Sequence, residues 1–488
     1  FITGKAGTGK STLLQYFREN TNKKIVVLAP TGVAAINVRG ETIHSFFRYK
    51  PDINLDKIKK IKFKKGQKNI YKEIEAIVID EISMVRADLL DCVDKFLRLN
   101  GKKSRLPFGG LQMIFIGDLY QLPPVVNGEE RHLFKEHYKS EYFFDAKVFE
   151  KIEMEYVELE KVYRQKDEGF IGLLNAIRNN TAGETELAAL NAGCAPDYKP
   201  SKDYSITLTT TNKMASEINA AHLSRLPGKT EVFAGEITGE FELKQLPTDL
   251  ELKLKSDSQI MLLNNDSMGR WVNGTLGKIK KIGKDEIIVE LRDGRLEAVG
   301  RFEWEIFHFE LNRDSGRLES EVIGSFVQFP LKLAWAITIH KSQGKTFDHV
   351  IIDLGRGTFA HGQLYVALSR CTGLKGITLK QPVKKQHIFM DYRVVKFVTA
   401  YQYALSDKKC PVDDKIMIIN EAIKSGAKLK ITYLKARDEK SRREIIPVEI
   451  GEMTYKDKSF LGIKAFCLKR SEDRVFRVDR ILEMEVQA

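Results

Sequence analysis

The chain has 488 residues, of which 43% are apolar and 30% charged, and its 79 Lys and Arg outnumber its 66 Asp and Glu to give a formal net charge of +13. This composition excludes a disordered or fibrous protein, and the length suggests about three domains of about 150 residues each. The five cysteines are widely spaced, which predicts neither a disulfide framework nor a zinc site and favours a reducing cytoplasm. No apolar run reaches the roughly 18 residues of a membrane span. The excess positive charge favours a polyanionic partner over a membrane.

The first chemical motif is a phosphate-binding loop close to the first residue. Residues 4–11 are G-K-A-G-T-G-K-S, which matches G-x-x-x-x-G-K-[ST]. We expect Lys10 to contact the β- and γ-phosphates of ATP and the Ser11 hydroxyl to bind Mg²⁺. The predicted nucleotide-binding residues of this loop and the helix after it are Gly4, Ala6, Gly7, Thr8, Gly9, Lys10, Ser11 and Thr12. Because such a loop normally follows a complete strand, we also expect residues upstream of Phe1, adenine recognition among them.

Two short apolar runs predict further strands of the same sheet. Residues 76–79 (AIVI) end in Asp80 and Glu81, and residues 113–116 (MIFI) lead to Gln121. Since ligands bind at the carboxyl ends of parallel strands, Asp80 is expected to bind Mg²⁺, Glu81 to polarise the attacking water and Gln121 to sense the γ-phosphate. A solvated loop is the alternative for an isolated Asp-Glu pair, but the upstream phosphate loop favours the catalytic interpretation. The fold class predicted from these runs is α/β with a doubly wound parallel sheet.

A series of short motifs follows the phosphate loop in a fixed order. They are T-G-V-A-A from Thr31, T-I-H-S-F from Thr42, D-E-I-S-M from Asp80, G-D-L-Y-Q-L-P-P from Gly117, L-E-K-V-Y-R-Q from Leu159, W-A-I-T-I-H-K-S-Q-G from Trp335 and Y-V-A-L-S-R from Tyr365. Together they resemble superfamily 1B DNA helicases of the PIF (petite integration frequency) type, from Gly4 to about residue 400. The resemblance implies two RecA-like motor domains, ATP and Mg²⁺ as cofactors, and 5′→3′ movement of a monomer on single-stranded DNA with forked or structured DNA as substrate.

The resemblance also implies roles for residues outside the phosphate loop. Arg164 and Arg370 match two arginines that reach from the second motor domain into the nucleotide cleft and stabilise charge on the transferred phosphoryl group. For each of them, a solvated or ion-paired arginine is the alternative. Gly344 is added to the predicted nucleotide site. The predicted DNA contacts of the motor are Thr31, His44, Thr210, Asn212, Thr338, His340 and Ser342, with a structural role as the alternative for the two histidines.

Changes of composition along the chain, taken with the resemblance, imply four parts. They are a first RecA-like motor domain at 1–155 with a wedge insertion at about 47–74, a second motor domain at 156–228 and 329–405, an inserted small β-barrel at 229–328, and a separate small β-barrel at 411–488. The wedge insertion is rich in lysine, which predicts either a DNA-contacting surface or a solvated face. Its lysines are Lys57, Lys59, Lys60, Lys62, Lys64, Lys65, Lys68 and Lys72.

The segment 411–488 combines a helix with four strand-like runs and ends in R-V-F-R-V-D-R-I from Arg474. It resembles a WYL domain, although Ser459-Phe460-Leu461 stands where that family has Trp-Tyr-Leu. We hypothesise that its cations hold single-stranded DNA, with Arg470 and Arg474 as the first candidates. The other cations of this hypothesis are Arg442, Arg443, Lys464, Lys469 and Arg477. The alternative is that these cations pair with the nearby acids Glu444, Glu472, Asp473 and Asp479.

Three functions of different classes fit the sequence. The first is an ATP-driven DNA helicase whose C-terminal domain assists single-strand binding, in a prokaryotic-like cytoplasm near the nucleoid. The second is a DNA-dependent ATPase or translocase that remodels protein–DNA complexes. The third is a ligand-sensing WYL-type regulator with vestigial ATP turnover. Only the first two require all of the predicted catalytic residues, which are Lys10, Glu81, Gln121, Arg164 and Arg370.

Overall fold

The computed structural model describes residues 1–50, 53–62, 69–126, 134, 136–198, 204–241, 243, 246–311, 318–455 and 458–487. The chain forms two compact units, one of Phe1–Arg178 with Ala182–Phe389 and one of Asn179–Thr181 with Met390–Ala488. Among the described residues, no helix combines the length and the apolar character that crossing a membrane requires.

The first unit opens with a six-stranded parallel sheet. Its strands are β1 (Ile2–Gly4), β2 (Ile25–Ala29), β3 (Glu41–Thr42), β4 (Ala76–Ile79), β5 (Gln112–Gly117) and β6 (Val157–Leu159). They pair in the order β3-β2-β4-β5-β1-β6. Every residue of β4 is buried, as expected for a central parallel strand covered on both faces. The carboxyl ends of β1, β4 and β5 therefore lie side by side at one edge of the sheet.

Several helices of the described residues accompany this sheet. They are α1 (Lys10–Asn20), α2 (Gly32–Asn37), α3 (Ile43–Phe46), α4 (Ile70–Glu73), α5 (Ala87–Asn100) and α6 (Glu168–Arg178). Leu14, the buried residue of α1, packs in a cluster with Val27, Val78 and Ile116 of three strands. This apolar packing holds the start of α1 against the sheet, directly after the phosphate-binding loop.

After the first parallel sheet, the described chain forms two helices and one strand of the second parallel sheet. An insertion of antiparallel sheets follows. The first three elements are α7 (Glu184–Asn191), β7 (Ile206–Thr209) and α8 (Asn212–Arg225). The insertion consists of β8 (Glu231–Ala234), β9 (Glu236–Gly239), β10 (Glu251–Leu254), β11 (Gln259–Leu262), β12 (Leu276–Ile282), β13 (Glu286–Leu291), β14 (Leu296–Gly300), β15 (Phe302–Leu311), β16 (Leu318–Gln328) and β17 (Leu331–Leu333). Its sheets have the orders β14-β13-β12-β11-β17, β15-β16-β9 and β10-β8. The hairpin predicted across Gly283 is confirmed as β12 and β13.

The second parallel sheet has four strands drawn from both sides of the insertion. After β17 the chain adds β18 (Ala336–Thr338), β19 (Val350–Asp353), α9 (Gln363–Leu368) and β20 (Ile377–Leu379). The order is β18-β7-β19-β20, and all pairs are parallel. The predicted α/β class with two RecA-like parallel sheets is confirmed.

The second unit consists of two helices and a five-stranded antiparallel sheet. Its elements are α10 (Tyr392–Lys409), α11 (Val412–Ser425), β21 (Lys428–Lys435), β22 (Glu439–Tyr455), β23 (Lys458–Cys467), β24 (Glu472–Arg477) and β25 (Ile481–Gln487). The strand order is β24-β23-β22-β21-β25. Helix α11 ends at Gly426, whose φ of 68° is the left-handed conformation that glycine favours at a helix C-terminus. Ile419 and Ala422 of α11 pack into the core of the sheet.

Two boundaries differ from those expected from sequence. Strand β6 pairs with β1 in the first sheet, although the expected boundary at residue 155 assigns it to the second motor domain. Helix α10 belongs to the second unit, although the second motor domain was expected to reach residue 405. The described strands of the insertion and of the C-terminal unit form antiparallel sheets, and the small barrels expected there stay predictions. The predicted wedge lysines Lys64, Lys65 and Lys68 lie outside the described residues. The four-part division itself stays a prediction.

Ile419→Ala is expected to destabilise the second unit by about 2–5 kcal/mol, because it opens a cavity at a side chain with no exposed surface. The matched control is Met417→Ala on the same helix, where the side chain is 58% exposed and the expected change is within about 0.5 kcal/mol. Hydrogen exchange of the slowest amides of β21 and β25 measures both. Equal effects of the two substitutions would show that α11 does not form this core.

Candidate nucleotide site

The phosphate-binding loop joins β1 to α1. Gly7 and Gly9 have φ of 82° and 86°, in the left-handed region where a side chain would be strained. A Cβ at Gly4 would meet the Thr8 hydroxyl at 2.6 Å and the Leu159 carbonyl at 2.7 Å, so the close contact between β1 and β6 also requires glycine. The loop thus places a tight glycine-rich turn at the N-terminus of a helix, which is a suitable site for a phosphate group. Ser11 lies exposed in the first turn of this helix.

Lys10 is held at the base of the loop. Its amine donates to the carbonyl oxygens of Gly4 at 2.7 Å and Lys5 at 3.0 Å. Burial lowers the pKa of Lys10, and the nearby carboxylates of Asp118 and Glu81 oppose that shift. The protein therefore holds a poorly solvated cation next to the loop, where an anionic phosphate would stabilise its charge.

The two carboxylates at the end of β4 are both poorly solvated. Asp80 is 8% exposed, and burial raises its pKa. Burial and the neighbouring Asp80 raise the pKa of Glu81 to about 7. Glu81 also has a φ of 50°, an unusual conformation for a residue other than glycine. Oxygen donors such as Ser11 and Asp80 suit Mg²⁺, and a cation would offset the cost of burying the Asp80 and Glu81 carboxylates, so the residues present fit the expected metal.

A buried polar network follows β5. The Gln121 amide donates to the Asp118 carboxylate at 3.1 Å and accepts from the amide of Gln343 at 3.4 Å. The guanidinium of Arg178, the last residue of α6, lies 3.7 Å from the Asp118 carboxylate and 3.6 Å from the centre of the Tyr120 ring. Gln121 is therefore placed at the strand end as predicted. The contact of Arg178 with Asp118 is not predictable from sequence, because only the fold brings the end of α6 to this strand.

Arg164 lies directly over the phosphate loop. A Cβ at Gly7 would come within 2.6 Å of the Arg164 Cβ, which shows how closely the two segments pack. The Tyr163 N–H donates to the Gly7 carbonyl at 2.8 Å, and the Arg164 guanidinium donates to the Ser369 carbonyl at 3.1 Å. Burial lowers the pKa of Arg164. Arg164 thus joins the loop of the first sheet to the segment that carries Arg370.

Arg370 is almost fully buried, with 2% of its surface exposed. Its guanidinium donates to the Val366 carbonyl at 3.0 Å and to the Ser369 hydroxyl at 2.9 Å. Burial and, next in size, the charge of Arg164 lower the pKa of Arg370 to about 9, while Glu81 acts in the opposite direction. The structure therefore brings Arg164 to the segment that carries Arg370.

Two further residues connect the second parallel sheet to the phosphate loop. The Tyr365 hydroxyl on α9 accepts from the Ala6 N–H at 2.9 Å. The Gln165 amide donates to the carbonyl oxygens of Ser369 at 3.1 Å and Cys371 at 2.9 Å. Both residues lie within motifs quoted above, and motif membership was the only sequence signal for them. Their contacts fix the Arg370 segment relative to the loop.

The predicted DNA contacts fall into two groups by burial. Thr31 and Asn212 are exposed at the starts of α2 and α8, and His44 and His340 are half-buried. The His340 ring stacks on Phe359, which is 64% exposed, with a centroid distance of 6.4 Å and an interplanar angle of 16°.

The second group of predicted DNA contacts is buried. It comprises Thr210, Thr338 and Ser342. The Ser342 hydroxyl donates to the Ile339 carbonyl at 2.7 Å, and the Thr338 hydroxyl accepts from the Lys341 N–H at 3.3 Å. These internal hydrogen bonds favour a role in holding their loop. Gly344 follows in the same loop with a φ of 76°.

In the second unit, several cations are paired with acids. Arg474 pairs with Glu472 at 2.5 Å and Arg477 with Asp479 at 2.6 Å. Both pairs are those expected if these cations pair with nearby acids and do not hold DNA. Lys464 pairs with Glu449 at 2.7 Å, a partner that the sequence did not indicate. Arg470 is exposed after β23.

Three family models match parts of the chain. They describe a PIF1-like helicase at residues 1–186, a UvrD-like helicase C-terminal domain at 333–374 and a WYL domain at 414–486. The matches follow the two parallel sheets and the C-terminal unit.

Curated relatives carry the same similarity. The chain is 33% identical over 414 residues to the ATP-dependent DNA helicase Pif1 of Bdellovibrio bacteriovorus, covering 82% of this chain and 88% of that protein. It is 35% identical over 390 residues to human ATP-dependent DNA helicase PIF1, covering 77% of this chain. The chain spans only 57% of the human protein.

Solved structures of Bacteroides Pif1 are similar in fold. The complex with ADP-AlF4 has 39% sequence identity and a TM-score of 0.75, covering 82% of this chain and 93% of that one. The complex with ADP-AlF3 and single-stranded DNA has 40% identity and a TM-score of 0.60, covering 82% of this chain and 93% of that one.

Glu81→Gln is expected to raise the melting temperature at about pH 8. The pKa of Glu81 rises from 4.5 to about 7 in the folded state, so wild-type stability falls as the pH rises between these values, and glutamine removes the buried charge responsible. The gain should disappear at about pH 4, where both folded and unfolded states hold the proton. Calorimetry at the two pH values measures it, with Glu217→Gln on the exposed face of α8 as the control. A gain of equal size at both pH values would contradict this assignment.

Proposed function

The chain belongs to the PIF1-like helicase family, and from this premise we propose that it is an ATP-dependent DNA helicase that moves 5′→3′ along single-stranded DNA and unwinds duplex or structured DNA. The observation that carries the proposal is that residues from two different sheets meet at the phosphate loop, where the Tyr365 hydroxyl accepts from the Ala6 N–H and Arg164 donates to the Ser369 carbonyl next to Arg370. A site divided between two sheets can change the distance between them when it gains and loses a nucleotide.

Each residue of the site has a separate part in hydrolysis. Ser11 and Asp80 would hold Mg²⁺, which supplies charge neutralisation on the phosphates when bound. Lys10 binds the terminal phosphates, and Glu81 takes a proton from the attacking water, a task that a pKa of about 7 suits. The side-chain amide of Gln121 senses the γ-phosphate. Arg164 and Arg370 stabilise the charge that develops on the transferred phosphoryl group.

We propose that the protein binds single-stranded DNA as a monomer and that the strand runs over surface residues of the motor. Thr31, His44 and Asn212 contact phosphates, and the His340 and Phe359 pair offers a flat aromatic surface on which a base can stack. The C-terminal unit assists by binding single-stranded DNA. Bacteroides Pif1, which has been solved with ADP-AlF3 and single-stranded DNA, supports this assignment through its similarity to the chain.

Arg370→Ala is expected to lower the ATP turnover rate by about 10²–10³-fold while ATP still binds, because the guanidinium acts on charge that develops in the transition state. Arg164→Ala should behave in the same way. The matched control is Arg356→Ala, an exposed arginine of the second parallel sheet region, which should leave turnover unchanged. Phosphate release and nucleotide binding measure the two effects separately. Near-normal turnover in both variants would contradict the assignment.

Strand separation on forked duplexes tests the helicase proposal itself. A duplex with a 5′ single-stranded tail is expected to be unwound with ATP, whereas one with a 3′ tail or no tail is not. DNA-stimulated ATP turnover without strand separation on any of the three substrates would favour the translocase alternative. A Lys10→Ala variant that keeps the biological activity would favour the regulator.

A further inference from the structure

Helix α9 contacts the segments that follow two neighbouring strands of the first parallel sheet. Strands β1 and β5 pair in parallel, with Thr3 beside Gly117. Gly362, directly before α9, has a φ of 70°, and a Cβ there would lie 2.2 Å from the Tyr120 carbonyl oxygen and 2.6 Å from the Gln121 carbonyl oxygen. The start of α9 is therefore packed closely against the segment after β5. Every residue of α9 is buried, so the backbone fixes where its side chains lie.

Tyr365 connects α9 to the segment that follows β1. Its hydroxyl oxygen accepts from the Ala6 N–H at 2.9 Å, two residues after β1 ends at Gly4. The peptide group that joins Lys5 to Ala6 is also bound on its other side, because its carbonyl oxygen accepts from the Lys10 amine at 3.0 Å. The C=O and N–H of a trans peptide group point in opposite directions. Lys10, the expected ligand of the terminal phosphates, and Tyr365 therefore hold the two sides of a single peptide group of the phosphate loop.

The Tyr365 hydroxyl keeps a proton that it can donate. A hydroxyl group can donate one hydrogen bond and accept two. In the part of the chain that the structure describes, the recorded hydrogen bond of this hydroxyl is the one from Ala6, in which the oxygen is the acceptor. Burial raises the pKa of Tyr365, so the proton stays on the oxygen at neutral pH. A poorly solvated donor is thus present beside the loop, and a bound nucleotide can supply its acceptor.

We infer that Tyr365 is a nucleotide-specificity residue, whose hydroxyl donates to an oxygen of the γ-phosphate of ATP while it accepts from the Ala6 N–H. Ligands bind at the carboxyl ends of parallel strands, and the hydroxyl lies at the end of β1, beside β5. A hydrogen bond to a charged phosphate oxygen is stronger than one between neutral groups. ADP has no γ-phosphate, so its complex lacks this bond. The inference rests on the proposed function, because it takes ATP as the nucleotide that the site hydrolyses.

Tyr365 and Arg370 act at different stages of the reaction. The proposed role of Arg370 concerns charge that develops in the transition state. Tyr365 binds a γ-phosphate that is already present in bound ATP, so its effect falls on the binding of ATP and not on the chemical step. Because Tyr365 lies on α9 and Arg370 follows that helix, the same hydrogen bond ties the position of Arg370 to the presence of a γ-phosphate.

Tyr365→Phe tests the inference, because it removes the hydroxyl and keeps the buried ring. In calorimetric titrations of the full chain, it is expected to weaken the binding of a non-hydrolysable ATP analogue by about tenfold or more and to change ADP affinity less than about threefold. The matched control is Tyr49→Phe, which removes a buried hydroxyl of the same unit that donates to the Cys92 carbonyl at 2.9 Å. This control should leave the ratio of the two affinities unchanged. A melting temperature within a few degrees of wild type confirms that each variant is folded.

Steady-state turnover gives a second readout, in which Tyr365→Phe is expected to raise the KM for ATP by about tenfold and to keep kcat within about threefold of wild type. Equal weakening of the ATP analogue and ADP, or no weakening of either, would overturn the inference, because the hydroxyl would then only join the two sheets. Wild-type protein that binds both nucleotides but shows neither DNA-stimulated turnover nor strand separation would overturn the proposed function instead. The two failures are therefore distinguishable.

Discussion

The structure depends on a concentration of positive charge at a poorly solvated nucleotide site. Lys10, Arg164 and Arg370 all have lowered pKa values, and burial is the largest cause for each of them. For Arg370 the second cause is repulsion by Arg164. The protein holds these cations in place with backbone carbonyls, which satisfy hydrogen bonds without cancelling charge. A triphosphate is the kind of ligand that such a site can bind strongly and discriminate by charge.

The same constraint joins the nucleotide site to the rest of the motor. Arg370 follows α9 of the second parallel sheet, and the α9 residue Tyr365 accepts a hydrogen bond from the phosphate loop of the first sheet. Gln165 and Arg164 both donate to the Ser369 carbonyl, so the segment after β6 is tied to the same place. A change of charge at the phosphate position therefore acts directly on the contacts between the sheets. On the proposed function, this is how hydrolysis would drive movement along DNA.

Structure is predictable from sequence where it depends on local chain geometry. The phosphate loop, the paired carboxylates after β4 and the hairpin across Gly283 each lie within a few residues, and their glycine and charge patterns indicate their structure. Sequence is less informative where the packing of distant segments determines the structure. The end of α6 carries Arg178 to Asp118, and β6 joins the first sheet, through contacts between residues far apart in the chain. In the C-terminal unit, sequence could not show that Lys464 pairs with Glu449, because the pairing of two strands brings these residues together.

On the proposed mechanism, the two arginines stabilise the transferred phosphoryl group and not the ground-state nucleotide. The most direct test is the affinity of wild-type and Arg370→Ala protein for ADP alone and for ADP with aluminium fluoride, which resembles the transferring group. The substitution is expected to weaken the ADP–aluminium fluoride complex by about 10²-fold or more and to change ADP affinity only a few-fold. Equal weakening of both complexes would contradict it.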